Sequence, residues 1–148
     1  LVTRTFSKAY GLAGLRAGFG VANKELIEMM NRIRPPFNMN SAAQAAAVAA
    51  LEDQAFLKTV VDSNTKERAR LASFFDELGL DQLPSQANFI MVRVGPKAAE
   101  INEAMLRCGV ILRPLKSYGL PEYMRISVGS REENDIFMKA FREALSVK

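Results

Sequence analysis

Polar and apolar residues follow two rhythms along the chain, alternation and a three-to-four-residue recurrence. Leu1 to Phe6 is rich in β-branched residues, which predicts a strand. Ser7 to Gly14 carries two glycines and is predicted as a loop. Leu15 to Val21 predicts a second strand, with Gly18 and Gly20 where something packs closely. Asn23 offers an N-cap, and Leu26, Ile27, Met30 and Ile33 then share one helical face over 24–33. Pro35 and Pro36 end that helix. Asn40 or Ser41 caps the next, whose alanines over 42–50 predict close packing against a neighbour. Residues 53–78 form a long helical pattern through Phe56, Leu57, Val60, Val61, Ala69, Leu71, Ala72, Phe75 and Leu78, closed by Gly79.

The texture then changes. Strands are predicted over 88–94, 110–113 and 123–128. Helices are predicted over 98–108 and 131–145, the last with Ile136, Phe137, Ala140, Phe141 and Leu145 inward. From about Leu71 onward this reads as a small α/β sandwich. The two opening strands cannot hide both faces by themselves, so they read as the end of a larger sheet. Met29, Met30, Met105 and Met138 are expected as core filler, and Cys108 as a packed thiol.

Composition narrows the chemistry. The chain has 148 residues, one domain's length or a piece of something longer. Its net charge of +4 and pI near 9.4 come from scattered basic residues, so a mixed-charge solvated surface is expected and no nucleic-acid partner. There is no histidine and one cysteine. This removes an internal disulfide, cysteine-based zinc sites and histidine-activated nucleophiles. Acid–base work falls to Lys, Asp, Glu, Tyr, Cys or a cofactor. The apolar stretch 42–51 is too short to span a bilayer, and no leader pattern opens the chain, so a cytoplasmic location is expected. The first residue is Leu1, not Met, which points to a processed start or a fragment.

The segment from Thr5 to Phe19 carries the chemistry. Lys8 follows a strand and precedes a glycine-bearing loop. A lysine at a strand end that faces a cavity can lose hydration, which lowers its pKa and makes its amine a nucleophile toward aldehydes. Thr5, Ser7 and Arg16 lie nearby, and two hydroxyls with a guanidinium suit a phosphate. The glycines match neither a Walker A loop nor a dinucleotide fingerprint. Farther on, Arg125 sits inside an apolar strand between Met124 and Ile126. Its spacing leaves open a solvent-side edge position, a pairing with Glu122 or Glu132, or a site for a carboxylate or phosphate.

The run Ser7-Lys8-Ala9-Tyr10-Gly11-Leu12-Ala13-Gly14-Leu15-Arg16-Ala17-Gly18 resembles the cofactor-lysine segment of the fold-type I aminotransferases. The resemblance implies that Lys8 bonds pyridoxal 5'-phosphate, and that Arg16, Ser7 and Thr5 hold its phosphate. The run from Gly109 to Asn134, with Arg125-Ile126-Ser127-Val128-Gly129 and Glu132-Glu133-Asn134, is similar to histidinol-phosphate aminotransferases in particular. That similarity implies substrate-binding roles for Arg125, Arg113 and Asn88. A buried asparagine bridging loop backbone is an equally good account of Asn88. Acids in a first helical turn explain Glu132-Glu133-Asn134 most simply.

The resemblance implies an α/β fold: the end of the large-domain sheet, a long connecting helix, then a small α/β sandwich domain. Residues 1–55 are expected to be the remnant of a cofactor-binding domain, and 56–148 the C-terminal domain with its connecting helix. In the family the lysine lies past the middle of the chain. A C-terminal fragment, inactive alone and prone to associate through its unpaired strands, is therefore expected. The implied activity is transfer of an amino group between histidinol phosphate and 2-oxoglutarate or glutamate. The implied partners are a small amino donor, a 2-oxo acid and a second copy in a homodimer, with no membrane. A threonine-phosphate decarboxylase, or an aromatic or broad-specificity aminotransferase, shares that fold. A non-catalytic regulatory module is the alternative from another class.

Overall fold

A computed structural model describes residues 1–146. The last two residues of the expected 56–148 domain lie outside the described residues. The chain divides into two compact units, Leu1–Val61 and Asp62–Lys148.

In the first unit, β1 (Val2–Thr5) pairs antiparallel with β2 (Gly18–Val21), Thr5 opposite Gly18. A Cβ on Gly18 would lie 2.8 Å from the Arg4 carbonyl oxygen, so only glycine fits there. Helix α1 (Lys24–Ile33) begins where the Asn23 side chain accepts the Leu26 N–H at 3.0 Å. Helix α2 (Ser41–Glu52) begins the same way, with Asn40 accepting from Ala43 at 2.8 Å. Its buried stripe is Ala43 and Ala47, one turn apart. These two join Phe6 and Ala17 in a small core.

Helix α3 (Gln54–Glu77) crosses the division between the units. Its first turn is capped by Asp53, whose Oδ1 accepts the Phe56 N–H at 2.9 Å. It ends in the left-handed turn at Gly79, φ +67°, where the Leu80 N–H bonds the Phe75 carbonyl at 3.0 Å.

The second unit holds a four-stranded antiparallel sheet, order β3-β4-β6-β5. The strands are β3 (Gln82–Leu83), β4 (Phe89–Arg93), β5 (Arg113–Pro114) and β6 (Tyr123–Ser127). Ile90, Val92, Met124 and Ile126 alternate onto one face and are buried. They share a core with the later turns of α3, with α4 (Ala98–Arg107) and with α5 (Arg131–Ser146). Four phenylalanines, Phe74, Phe75, Phe137 and Phe141, meet there with ring centres 5.1–6.2 Å apart.

Several sequence expectations need correction. The apolar stripe of α1 buries nothing: Met29, Met30 and Ile33 are exposed. Amphipathic spacing marks a face that is able to pack, and no described part of the first unit covers this one. Phe56 and Val61 are exposed for the same reason. Ile136 faces solvent and Ala144 faces inward, because the buried stripe of α5 runs through Asn134, Phe137, Ala140, Phe141 and Ala144. Cys108 is exposed, not packed, since α4 ends there and Gly109 turns the chain at φ +75°. The strand expected at 110–113 forms only at Arg113–Pro114, and the pair Gln82–Leu83 carried no strand signal.

Candidate functional site

Phe6 organises the lysine segment. Its ring is buried against Tyr10 and Phe19, at 5.0 and 6.0 Å between ring centres. Its N–H bonds the Ala17 carbonyl at 3.1 Å, and its carbonyl accepts the Leu12 N–H at 2.9 Å. One anchored residue therefore ties the chain at three points: 6, 12 and 17. The adjoining Thr5, Ser7, Lys8 and Arg16 are held beside this tie. Thr5 Oγ1 accepts the Ser7 N–H at 3.0 Å, an ST turn that links the two hydroxyl residues. The Lys8 carbonyl accepts the Gly11 N–H at 2.9 Å, closing the turn after the lysine.

Arg16 adopts a left-handed backbone, φ 54°, rare for a residue with a side chain. Its Nη1 donates to the Ala13 carbonyl at 2.7 Å. The remaining guanidinium donors stay available, and Arg16 is exposed. Lys8 is also exposed, so the first unit does not enclose its amine as a cavity would. Thr5 is exposed and Ser7 half-buried. An accessible amine, two hydroxyls and a guanidinium suit a phosphorylated aldehyde by donor chemistry.

The second unit carries the other candidates. Arg125 lies on β6, an interior strand, so the edge-strand alternative falls. Glu122 is taken by Arg93, which donates Nε and Nη2 to its Oε2 at 2.9 and 2.7 Å. That contact raises the Arg93 pKa. Among the described residues Arg125 Nε is buried with no hydrogen-bond partner, and its guanidinium carbon stands 5.2 Å from the Phe89 ring centre. Directly across the strand pair from Arg125 is Arg113. Arg113 donates to the Tyr118 hydroxyl at 2.8 Å and is otherwise exposed. Two like charges opposed on neighbouring strands repel unless an anion lies between or over them. Asn88 is exposed, and its carbonyl accepts the Val128 N–H at 2.9 Å. The buried bridging asparagine is therefore not Asn88.

That role belongs to Asn134, 2% exposed, which the sequence placed only in a helix start. Asn134 Nδ2 donates to Glu67 at 2.8 Å and to the Gly129 carbonyl at 3.1 Å, while its Oδ1 accepts the Gly129 N–H at 3.1 Å. Glu67 Oε2 also accepts from Arg70 Nη2 at 2.6 Å and Nε at 3.0 Å. The Arg70 hydrogen bond, opposed by burial and aided by Asn134, holds the Glu67 carboxyl below the usual range. Ser130 and Glu133 form a reciprocal cap at the start of α5, at 2.7 and 3.2 Å. One signal for Glu67 stood in the sequence: it lies on the same helical stripe as Leu71, Phe74 and Phe75.

Comparison with known proteins agrees over nearly the whole chain. Residues 1–141 match the family described as aminotransferase class I and II. Histidinol-phosphate aminotransferase 2 of Ralstonia nicotianae is 54% identical, covering 99% of this chain and 40% of its own length. The crystal structure of histidinol-phosphate aminotransferase from Sinorhizobium meliloti in complex with pyridoxal-5'-phosphate superposes with a TM-score of 0.85. It is 35% identical, over 97% of this chain and 40% of that one. L-threonine-O-3-phosphate decarboxylase from Porphyromonas gingivalis superposes at 0.80 with 27% identity, over 97% of this chain and 46% of that one. The chain thus spans about two fifths of the length of the curated relatives it matches. With the lysine turn, the strand arginines and a match over residues 1–141 together, the chain belongs to the class I and II aminotransferase family.

Proposed function

We propose that this chain supplies the lysine-bearing and C-terminal parts of a histidinol-phosphate aminotransferase working with glutamate and 2-oxoglutarate. The observation that favours it is that Arg125 and Arg113 are opposed in strand register, with Arg125 Nε buried and unpartnered among the described residues. Histidinol phosphate, glutamate and 2-oxoglutarate are all anions. The 54% identity to a protein of that name supports the same choice.

In this reading Lys8 Nζ would hold the cofactor through its aldehyde carbon. Arg16 donates to the cofactor phosphate, and the Thr5 and Ser7 hydroxyls complete its shell. Pyridoxal phosphate, when bound, supplies an electron sink for charge at the substrate α-carbon. The Lys8 amine would also take the substrate α-proton and later return one. Arg125 grips the substrate anion through paired N–H donors, with Arg113 adding charge and Asn88 a polar contact. Holding the anion removes rotational freedom before the proton moves. Residues 1–55 serve the cofactor and 56–148 form the C-terminal domain. The working enzyme is a cytoplasmic homodimer. Among the described residues no helix is long and apolar enough to cross a membrane.

Borohydride reduction tests the reading. The enzyme carrying this segment is mixed with limiting pyridoxal phosphate, reduced and digested. Cofactor mass is expected on the Lys8 peptide alone. Labelling spread over surface lysines, with Lys8 unmodified, would sink the assignment. The likeness to a threonine-phosphate decarboxylase supports a second reading. Carbon dioxide release from a phosphorylated amino acid, without amino transfer, would favour it.

A further inference from the structure

The polar side of α3 does work that the proposed reaction has not yet used. Its residues hold both chain crossings at one end of the sheet. On one side, Asn64 Nδ2 and Arg68 Nη1 donate to the Ala87 carbonyl, at 3.3 and 3.1 Å. Ala87 leads into Asn88 and then Phe89, the first residue of β4. Ser85 closes the same turn, donating to the Phe89 carbonyl at 2.6 Å and accepting the Ala87 N–H at 3.1 Å. On the other side, Glu67 takes Asn134, and Asn134 clasps both backbone groups of Gly129. Gly129 follows β6, the strand that carries Arg125. The two crossings touch, since the Val128 N–H bonds the Asn88 carbonyl and Phe89 faces Ser127.

The clasp leaves little slack. A Cβ on Gly129 would lie 3.0 Å from Glu133 Cβ and 2.7 Å from its Oε2. Glu67 Oε2 meets three donors at 2.6–3.0 Å, so it has one well-defined place. The bracket ends on the residues that matter for the anion. Phe89 lies under the Arg125 guanidinium, and Asn88 sits exposed beside it in sequence.

We propose that Glu67 and Asn134, with Asn64 and Arg68 on the opposite crossing, are positioning residues that set Arg125, Phe89 and Asn88 for the substrate anion. The proposal rests on the Arg125 assignment made above. None of the four touches substrate; each acts through backbone that carries a binding residue. A bracket that merely stabilised the fold would change melting and leave substrate affinity alone.

The test uses the enzyme carrying this segment, loaded with cofactor. Four variants are compared: R125A as the benchmark, then E67A, N134A and E67Q. R125A is expected to raise KM for 2-oxoglutarate about 10- to 100-fold, the worth of a charged hydrogen bond. E67A and N134A are expected to raise it about fivefold through misplacement, with kcat nearly unchanged and an unaltered cofactor absorbance spectrum. E67Q keeps an acceptor for Asn134 and is expected to restore KM towards wild type while still losing stability. If E67A does not fold, N134A removes the same bond from the α5 side. The proposal is overturned if E67A and N134A melt earlier yet keep the wild-type KM while R125A raises it. It is overturned too if E67Q is as impaired as E67A, which would place the effect in charge and not in position. If R125A itself leaves KM unchanged, the Arg125 assignment fails and the bracket falls with it.

Discussion

Residues 62–146 and residues 1–61 use their apolar side chains in opposite ways. In the later region, a sheet face and three helices enclose one core, with Leu71, Phe75, Val92, Met105, Met124 and Phe141 fully buried. In the earlier region the core is four residues, three of them alanines. Yet the earlier region is the richer in apolar residues. Among the described residues it exposes Leu1, Val2, Phe19, Val21, Ile33 and Phe37 at 46–100%. Composition therefore does not decide burial. A four-stranded sheet with one covered face can hide its apolar rows, and a two-stranded ribbon exposed along both strands cannot. What the earlier region does fix is local: helix caps, the Phe6 tie and the lysine turn.

The largest contrast is expected from core truncation. Phe75→Ala removes a ring from the centre of the phenylalanine cluster and should cost about 3–5 kcal/mol. Hydrogen exchange would check it: amides in β4, β6 and α5 should lose protection together, while those of β1 and α1 should change little. Equal losses in both regions would break the contrast.

A smaller effect belongs to Glu67 and depends on pH. Its folded pKa lies below the ordinary 4.5. Above that value the carboxylate is ionised in folded and unfolded chains alike, and the contact with Arg70 and Asn134 contributes fully. As pH falls below it, the unfolded chain takes up the proton first and the contribution fades. E67Q should therefore unfold at lower urea than wild type at neutral pH, with a deficit of about 1 kcal/mol. The gap should close as pH drops through the carboxylate range. A gap constant with pH would deny the charge any part.

The smallest effects test the earlier region. Asn40→Ala removes the α2 cap and should cost about 1 kcal/mol, read by circular dichroism during urea unfolding. Ile33→Ser, at a position 84% exposed, should change stability by no more than about 0.5 kcal/mol. A large loss from I33S would show that this face packs in solution and would redraw the comparison.

Much of the fold was legible in the chain. Asn23 and the proline pair bounded α1 to the residue, and Gly79 and Gly109 marked helix ends, because caps and breakers act through their immediate neighbours. The lysine segment was legible too, as a dense motif. Less legible was which amphipathic face finds a partner, since a stripe such as Met30 and Ile33 looks the same whether covered or bare.

The sequence by itself determined the helix limits, the family motif around Lys8 and the apolar alternation that places Arg125 on the face away from the core. Tertiary structure alone decided that Arg113 opposes Arg125, that Glu122 goes to Arg93, and that Asn134 reaches back to Glu67. The physical reason is range. Capping and side-chain alternation are settled within about four residues. Strand register and a bond between residues 67 and 134 depend on how distant segments dock, which no local pattern encodes.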